Sequence, residues 1–498
     1  MLNITPSKNT FVENAKAGRL LPVYAELPFI SPQDMYESMN KPLSFLLESI
    51  KGPENISRYS FIGSDPFLTF KVKNGNIEIH HKSTELTSSQ SPLRMLKELL
   101  STYKTCPDKN LPPFTGGAIG MISYDFVHYF ERLPTTVIDD LQIPDAHFML
   151  VDTLIAVDHT LKKTCIIACP GAADILTDNR ENPDDWEGFY ENATGKINAV
   201  HSLISSPASN DDKEYALYRS SAAPVTINHE MAKSDYMDMV NKAKDYIHAG
   251  DIFQANLSQR VSAYIGDVSA WQIYKMLSVI NPSPFACYLD MGDYHIASSS
   301  PERLVKVNNH IVETRPIAGT RPRGADATSD NQMRSELLLN EKERAEHLML
   351  IDLERNDLGK ISDYSTVEVD EFMITEDYSH VIHIVSNVKG SIAKGKDCFD
   401  AIRATFPGGT ITGVPKVRCM EIIDELEPVS RGPYTGSIGY IGFDGSMDLN
   451  IIIRTFLIKN KTAYVQAGAG IVADSDPEKE YNETLKKAEA LIKTLENL

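Results

Sequence analysis

Two segments of the chain each carry a pair of glutamates one helical turn apart. Glu343 and Glu346 lie in "NEKERAEHLMLIDLERND", and Glu480 and Glu483 in "SDPEKEYNETLKKAEALI". Residues three apart share a helix face, and Asp476-Pro477 ahead of the second pair reads as a cap followed by a first-turn proline. On an exposed helix such pairs are solvated charge. Where two such helices face one cleft they form an oxygen-only site, and few carboxylates with water and an anionic ligand suit Mg2+. Three small-residue turns offer the complementary chemistry: "AGT" (318–320), "FPGGTITG" (406–413) and "AGAG" (467–470). Glycine lets backbone N–H groups approach a ligand, and successive N–H groups make an anion-binding concavity. "PIAGTRPRG" sets Arg321 and Arg323 beside the first turn. Arg454 follows three apolar residues in "NIIIRT", expected on a buried strand, where its partner is either a carboxylate-bearing ligand or an internal glutamate. In "SHVIHIVSNV", read as a strand, His380 and His383 point to opposite faces. Each is either a satisfied core histidine or a functional one.

The elements that must position these groups are legible as alternation and turns. "FLTFKVKNGNIEIH" alternates around Asn74-Gly75, a hairpin signal. "LVKVNNHIVET" turns at Asn308-Asn309, "TFLIKNKTAYVQAG" at Asn460, and "MLVDTLIAVDHTLKKTCIIAC" holds two apolar runs about a polar turn. Helical spacing is expected over 184–204, in "DYMDMVNKAKDYIHAG" up to Gly250, over Leu337–Arg355 and over Pro477–Leu498. Hairpins with helices inserted between them predict an α+β fold of large antiparallel sheets packed as a sandwich. A polar Ser/Asn/Asp-rich stretch containing "SSPASNDDKE" divides the chain into an amino-terminal domain (1–205), a linker (206–230) and a second domain (231–498).

Formal net charge is −19, from 68 acidic and 49 basic residues, with no dense Lys/Arg stripe. A nucleic-acid backbone is therefore excluded as a ligand. A small anion binds only where local donors or a metal reverse the field. The six cysteines form no Cys-x-x-Cys pair, the pattern of buried thiols in a reducing compartment. "MLNITPSKNTF" lacks the pattern of a signal peptide, and no run approaches the ~18 apolar residues of a membrane span. The expectation is a cytoplasmic protein without a membrane partner.

Taken together, "RYSFIG", "DIFQANLSQR", "NPSPF", "SSSPERLV", "RPIAGTRPRG", "EKERAEHLMLIDLERND", "SHVIHIVS", "FPGGTITGVPKVRCMEIIDELE", "RGPYTGSIGYIG", "IIIRT" and "AGAGIVADSDPEKEYNET" resemble the chorismate-utilising enzymes. Within them the chain looks like the aminating large subunits of anthranilate synthases. The resemblance covers nearly the whole chain. It implies a chorismate-binding region over 231–494 and a regulatory region over 20–165. It implies Mg2+ held by Glu346 and Glu483, with Glu343 and Glu480 tuning them. Gly319, Thr320, Tyr434, Arg454, the backbone of Gly468, Ala469 and Gly470, and Lys487 would bind chorismate. Glu302 would be the general acid for loss of the C4 hydroxyl, His383 would serve pyruvate elimination, and Thr410 would join them in catalysis. Ala318 stands where aminodeoxychorismate synthases carry a nucleophilic lysine, and Gln254 where isochorismate synthases carry a lysine base. Both differences imply ammonia as nucleophile. With no Gly-x-Cys-x-Gly turn here, a separate glutamine amidotransferase subunit would supply it. "LLES" (46–49) and "NPSP" (281–284) match the family's tryptophan-inhibitor site, implying Ser49, Pro284, Phe285 and Ala286 as its lining and Glu48 as partner of the effector's ammonium. Read alone, "LLES" is a helix end and "NPSP" a turn. Phe285-Ala286-Cys287 departs from the Tyr-Met-Phe of many relatives. The competing implications are an aminodeoxychorismate synthase without the lysine, or a non-catalytic amino-acid-binding homologue.

Overall fold

The computed structural model describes the chain except residues 1, 40, 53–55, 82–83, 89, 178–183, 206–224, 325 and 378–380, and gives the backbone alone for 84–88 and 327. Two large sheets dominate, one of thirteen strands and one of twelve. The pairings within both are antiparallel, as in the three strands Ala146–Val151, Thr153–Asp158 and Lys163–Ala168.

The layering follows from which faces are apolar. Along Thr153–Asp158, Leu154 and Ala156 pack into a cluster with Ile119, Met121, Met149 and Ile438 of the other sheet. This is the filling of a sandwich. The alternate residues, Ile155 and Val157, pack outward against helices Lys8–Lys16, Pro32–Met39, Trp186–Ile204 and Ala270–Ile280. The outer face of the twelve-stranded sheet is covered likewise by Pro92–Ser101, Glu341–Gly359, Cys398–Thr405 and Lys416–Leu426. Strands buried on both faces read as near-continuous apolar runs, which explains "AHFMLV".

Residues 1–205 and 231–498 contribute strands to both sheets. Ser44–Glu48 pairs with Phe285–Asp290, and Gly117–Ile122 with Ser437–Gly442. Most of the expected linker, 206–224, lies outside the described residues. Its end, Ile227–His229, is a strand paired to Val261–Ala263.

The hairpin at Asn74-Gly75 forms with both residues at positive φ. The turn expected at Asn308-Asn309 has its left-handed residues one place later, at Asn309 and His310. Three local expectations are corrected. Leu337–Arg355 is not one helix: Ala327–Leu339 ends at Asn340, whose side chain accepts from the Glu343 N–H and starts a second helix, Glu341–Gly359. Asparagine caps a helix better than it continues one. "LLES" is the end of a strand, Ser44–Glu48, rather than of a helix. Arg454 is not on a strand. It has φ +51 in the segment between Met447–Asn450 of one sheet and Thr455–Lys459 of the other. Crossing between sheets requires that break.

All six cysteines are free and all but Cys106 are buried. Among the described residues no helix is long and apolar enough to cross a membrane.

Candidate active site

Glu302 follows the strand His295–Ser300 and is 7% exposed. Its backbone is fixed between sheets, since Ile451 N–H donates to the Glu302 carbonyl at 3.0 Å and Ser300 Oγ donates to the Ile451 carbonyl at 2.6 Å. Burial pushes the carboxyl up to about 7, opposed by Thr410, the charges of Arg454 and Lys487, and the Ile317 backbone. A carboxyl held near neutrality can give up a proton at working pH. Thr410, in the turn Gly409–Ile411, is thus beside it, and its buried hydroxyl has no other hydrogen-bond partner. Gly409 makes that turn possible, because a methyl there would overlap the Leu353 side chain.

His383, on the strand Val381–Ser391, is 3% exposed. Burial, and then the charge of Arg454, bring it down to about 4, so the ring is neutral at pH 7. Its Nδ1 lies 3.2 Å from the Gly319 carbonyl and 3.0 Å from Thr320 Oγ1. A carbonyl accepts only, so Nδ1 carries the proton and Nε2 is the basic nitrogen. Gly319 sits in a bulge of the strand Ile317–Pro322, where Ala318 and Thr320 oppose Ile384 and His383. It has φ +63, and a methyl there would overlap Glu343 and come within 2.9 Å of Leu337. Ala318, one residue before, is 8% exposed. His380 lies outside the described residues.

The glutamate pairs face this region from two helices. Glu346 reaches solvent, yet protein crowds it enough that burial raises its carboxyl. Both facts describe a side chain open to solvent on one side and packed against protein on the other. The charges of Glu483 and Glu343 push it further up, while Lys487 and a hydrogen bond from Gln254 hold it down. Glu483 pairs with Lys487 at 2.9 Å, and Lys487 Nζ also donates to the Gly468 carbonyl at 3.1 Å. Glu343 pairs with Arg321 at 2.5 Å, and its other oxygen is buried without a hydrogen-bond partner. Burial raises Glu480 too, against a hydrogen bond to Ser475. Among the described residues no three His, Cys, Asp or Glu side chains form a ready-made metal cage. Glu346 and Glu483 are the two carboxylates that would hold a Mg2+ ion here, with water and a ligand anion at its other positions.

Gly468, Ala469 and Gly470 lie on the strand Thr462–Ile471, paired to Ser258, Leu257 and Asn256 of the strand Gln254–Tyr264. A methyl on Gly468 would sit 2.9 Å from the Tyr434 hydroxyl, and one on Gly470 would overlap the Gln254 amide. Sequence reasoning missed what holds this wall. Arg431 and Glu427 form an ion pair at 2.7 Å, with side chains 1% and 2% exposed. Arg431 donates to the carbonyls of Ile411 at 3.0 Å and Asn256 at 2.6 Å, and its guanidinium lies over Tyr434. One fork therefore ties three segments of the site together. The clue was "RGPYTG" following "ELE" four residues earlier, an i,i+4 pair on apolar flanks. Arg321 and Arg323 are held by Glu343 and Asp330.

A separate cavity of about 940 Å3 has Glu48, Ser49, Pro284, Phe285 and Ala286 in its lining. Ser49 Oγ donates to the Pro284 carbonyl at 3.2 Å. Glu48 accepts from Tyr274 at 2.7 Å and Gln33 at 3.0 Å, and burial raises its carboxyl. The expected effector residues are thus one cluster, brought together by the pairing of Ala286 with Glu48.

The sandwich and the buried Glu302 and His383 are those of an enzyme, and the chain belongs to the chorismate binding enzymes, whose family model matches residues 43–493. It is 43% identical over 476 residues to anthranilate synthase component 1 of Acetivibrio thermocellus, covering 93% of this chain and 94% of that one. It is 44% identical over 454 residues to aminodeoxychorismate synthase component 1 of Bacillus subtilis, covering 91% of each. The crystal structure of anthranilate synthase component I from Streptococcus pneumoniae superposes with a TM-score of 0.76 at 37% identity, over 87% of this chain and 92% of that one.

Proposed function

We propose that the chain is the chorismate-aminating subunit of an anthranilate synthase, a lyase of tryptophan biosynthesis. Chorismate and ammonia give anthranilate, pyruvate and water. The observation that carries this reading over its nearest rival is Ala318. The rival, an aminodeoxychorismate synthase, is favoured by the 44% identity to such a protein. An amine nucleophile at this position is absent, so external ammonia must form the new C–N bond.

In this reading Glu302 protonates the departing C4 hydroxyl, the task for which a buried carboxyl near neutrality is suited. Ammonia bonds to C2 as water leaves from C4. Neutral His383 then takes the C2 proton through Nε2 as the C3–O bond breaks and the ring becomes aromatic, and the departing enolpyruvate takes up a proton to become pyruvate. Arg454, Thr320, Tyr434 and Lys487 hold the two carboxylates, with the backbone of Gly468 to Gly470. Mg2+ would be held by Glu346 and Glu483, steadied by Glu343 and Glu480, and would supply a positive charge for the ring carboxylate. A glutamine amidotransferase subunit delivers ammonia, because free ammonia is mostly protonated at neutral pH. Tryptophan occupies the 940 Å3 cavity and acts as feedback inhibitor.

The test is product analysis. Purified chain, chorismate, Mg2+ and ammonium at pH 8.5 are expected to yield equal amounts of anthranilate and pyruvate. Accumulation of aminodeoxychorismate without pyruvate would select the rival reading.

A further inference from the structure

The strand Gln254–Tyr264 carries a row of buried polar side chains on one face, including Gln254, Asn256 and Ser258, while Ala255 and Leu257 on the other face enter the core. Most of that row is accounted for. Gln254 bonds to Glu346, and Ser258 donates to Glu427 at 2.8 Å. Asn256 is different. It is 7% exposed, and its Oδ1 is buried with no hydrogen-bond partner. An unmet buried acceptor costs about 1–3 kcal/mol, so a native fold that keeps one calls for an explanation.

The backbone that carries this oxygen is held in place. The Asn256 N–H donates to the Thr412 carbonyl at 2.9 Å, and its own carbonyl accepts from Arg431 at 2.6 Å. The backbone is thus clamped on both sides. The side chain lies over Gly468, where a methyl would overlap Oδ1 and stand 2.9 Å from the Tyr434 hydroxyl. The missing side chain at 468 leaves room for the oxygen near the Tyr434 hydroxyl, beside the segment whose Gly468 carbonyl accepts from Lys487.

A carboxamide oxygen accepts and never donates. It repels the carboxylates of a dianionic substrate, so its ligand is an N–H or O–H donor. We propose that Asn256 Oδ1 accepts a hydrogen bond from the ammonia nucleophile and holds its lone pair toward the substrate. This rests on the reading above that ammonia is the nucleophile. A neutral amide suits the task better than a carboxylate. Beside a carboxylate the bound amine would be kept as ammonium, which has no lone pair to attack with.

The experiment measures initial rates of anthranilate formation by the full chain with Mg2+, varying ammonium chloride at saturating chorismate and then the reverse. Asn256→Leu keeps the branched shape at Cγ and removes the acceptor. The expected result is a rise of about tenfold or more in the KM for ammonium, with the KM for chorismate and the melting temperature little changed. Asn256→Asp, the closest isostere, covers the case in which Asn256→Leu fails to fold. It is expected to lose rate at pH 8 and to recover part of it at higher pH, where ammonium gives up its proton. Unchanged ammonium KM in Asn256→Leu, or an unaltered pH profile in Asn256→Asp, would overturn the assignment. So would a rise confined to the KM for chorismate, which would make the substrate hydroxyl the donor. Lack of anthranilate from the unaltered chain would instead overturn the underlying reading, and that control is run first.

Discussion

Replacing Glu302 by glutamine should make the protein more stable and nearly inactive at once. The carboxyl stands at about 7 in the folded chain against an ordinary 4.5. The difference corresponds to about 3 kcal/mol at 1.36 kcal/mol per pKa unit. The sign follows from proton binding. Between pH 4.5 and 7 the folded state binds more protons at this site than the unfolded state, so stability falls as pH rises through that window. Above it both states are ionised and the folded chain carries the whole penalty; below it both are neutral and the penalty vanishes. Glutamine removes the charge and with it the penalty. Glu354, also buried and pushed up to about 8 by burial and then by Asp357, feels Glu302 as a further negative charge. Its relief adds in the same direction. With an unfolding entropy near 2.1 cal/mol/K per residue, a chain of 498 residues converts the gain to a melting temperature higher by roughly 3 °C at pH 8 and by almost nothing at pH 4. Turnover should fall by about 10²–10⁴-fold, the range for a lost general acid. The assays are scanning calorimetry of both proteins at the two pH values and steady-state kinetics at pH 8. A melting difference that ignores pH, or a variant that turns over normally, would refute the argument.

Glu346→Gln and Glu483→Gln should each abolish turnover while leaving the fold intact, and should weaken Mg2+ binding measured by calorimetry with chorismate present; unchanged binding would remove both from the metal site. Gly319→Ala places a β-carbon at φ +63 against Glu343 and Leu337. It should lower stability by about 1–2 kcal/mol in denaturant unfolding and raise the KM for chorismate, while Ala318→Gly leaves that KM within a fewfold. Ser49→Phe fills the cavity beside Pro284 and should weaken tryptophan binding by at least about tenfold without altering kcat. Equal tryptophan affinity in that variant would place the effector elsewhere.

Much of the fold was legible because its signals are local. Asn74-Gly75 and Asn460 announce hairpins through residues that tolerate positive φ, and helix Pro477–Glu496 through its Asp-Pro start. The break at Asn340 was missed because helical periodicity runs through it and only the cap marks the boundary. Arg454 was assigned to a strand because three apolar residues precede it. Nothing in that run announces a crossing from one sheet to the other. In the site, the paired glutamates and the glycine turns stood out by type and spacing, whereas Glu302 and His383 were assigned through the family resemblance. Their mutual placement is long-range: Glu302 and Thr410 are 108 positions apart in sequence (410 − 302) and meet only through tertiary packing. Asn256 and the Arg431–Glu427 pair were not singled out, because an unmet acceptor and a buried fork are properties of packing rather than of sequence.

The central claim is that this chain joins ammonia to chorismate and completes the elimination itself. The direct measurement is a mass-spectrometric time course with chorismate, Mg2+ and 15N-ammonium. One 15N in anthranilate, with pyruvate released in equal amount and no amino intermediate accumulating, is the predicted result. A 15N-labelled product that retains its enolpyruvyl group, or consumption of chorismate without label, would contradict the account.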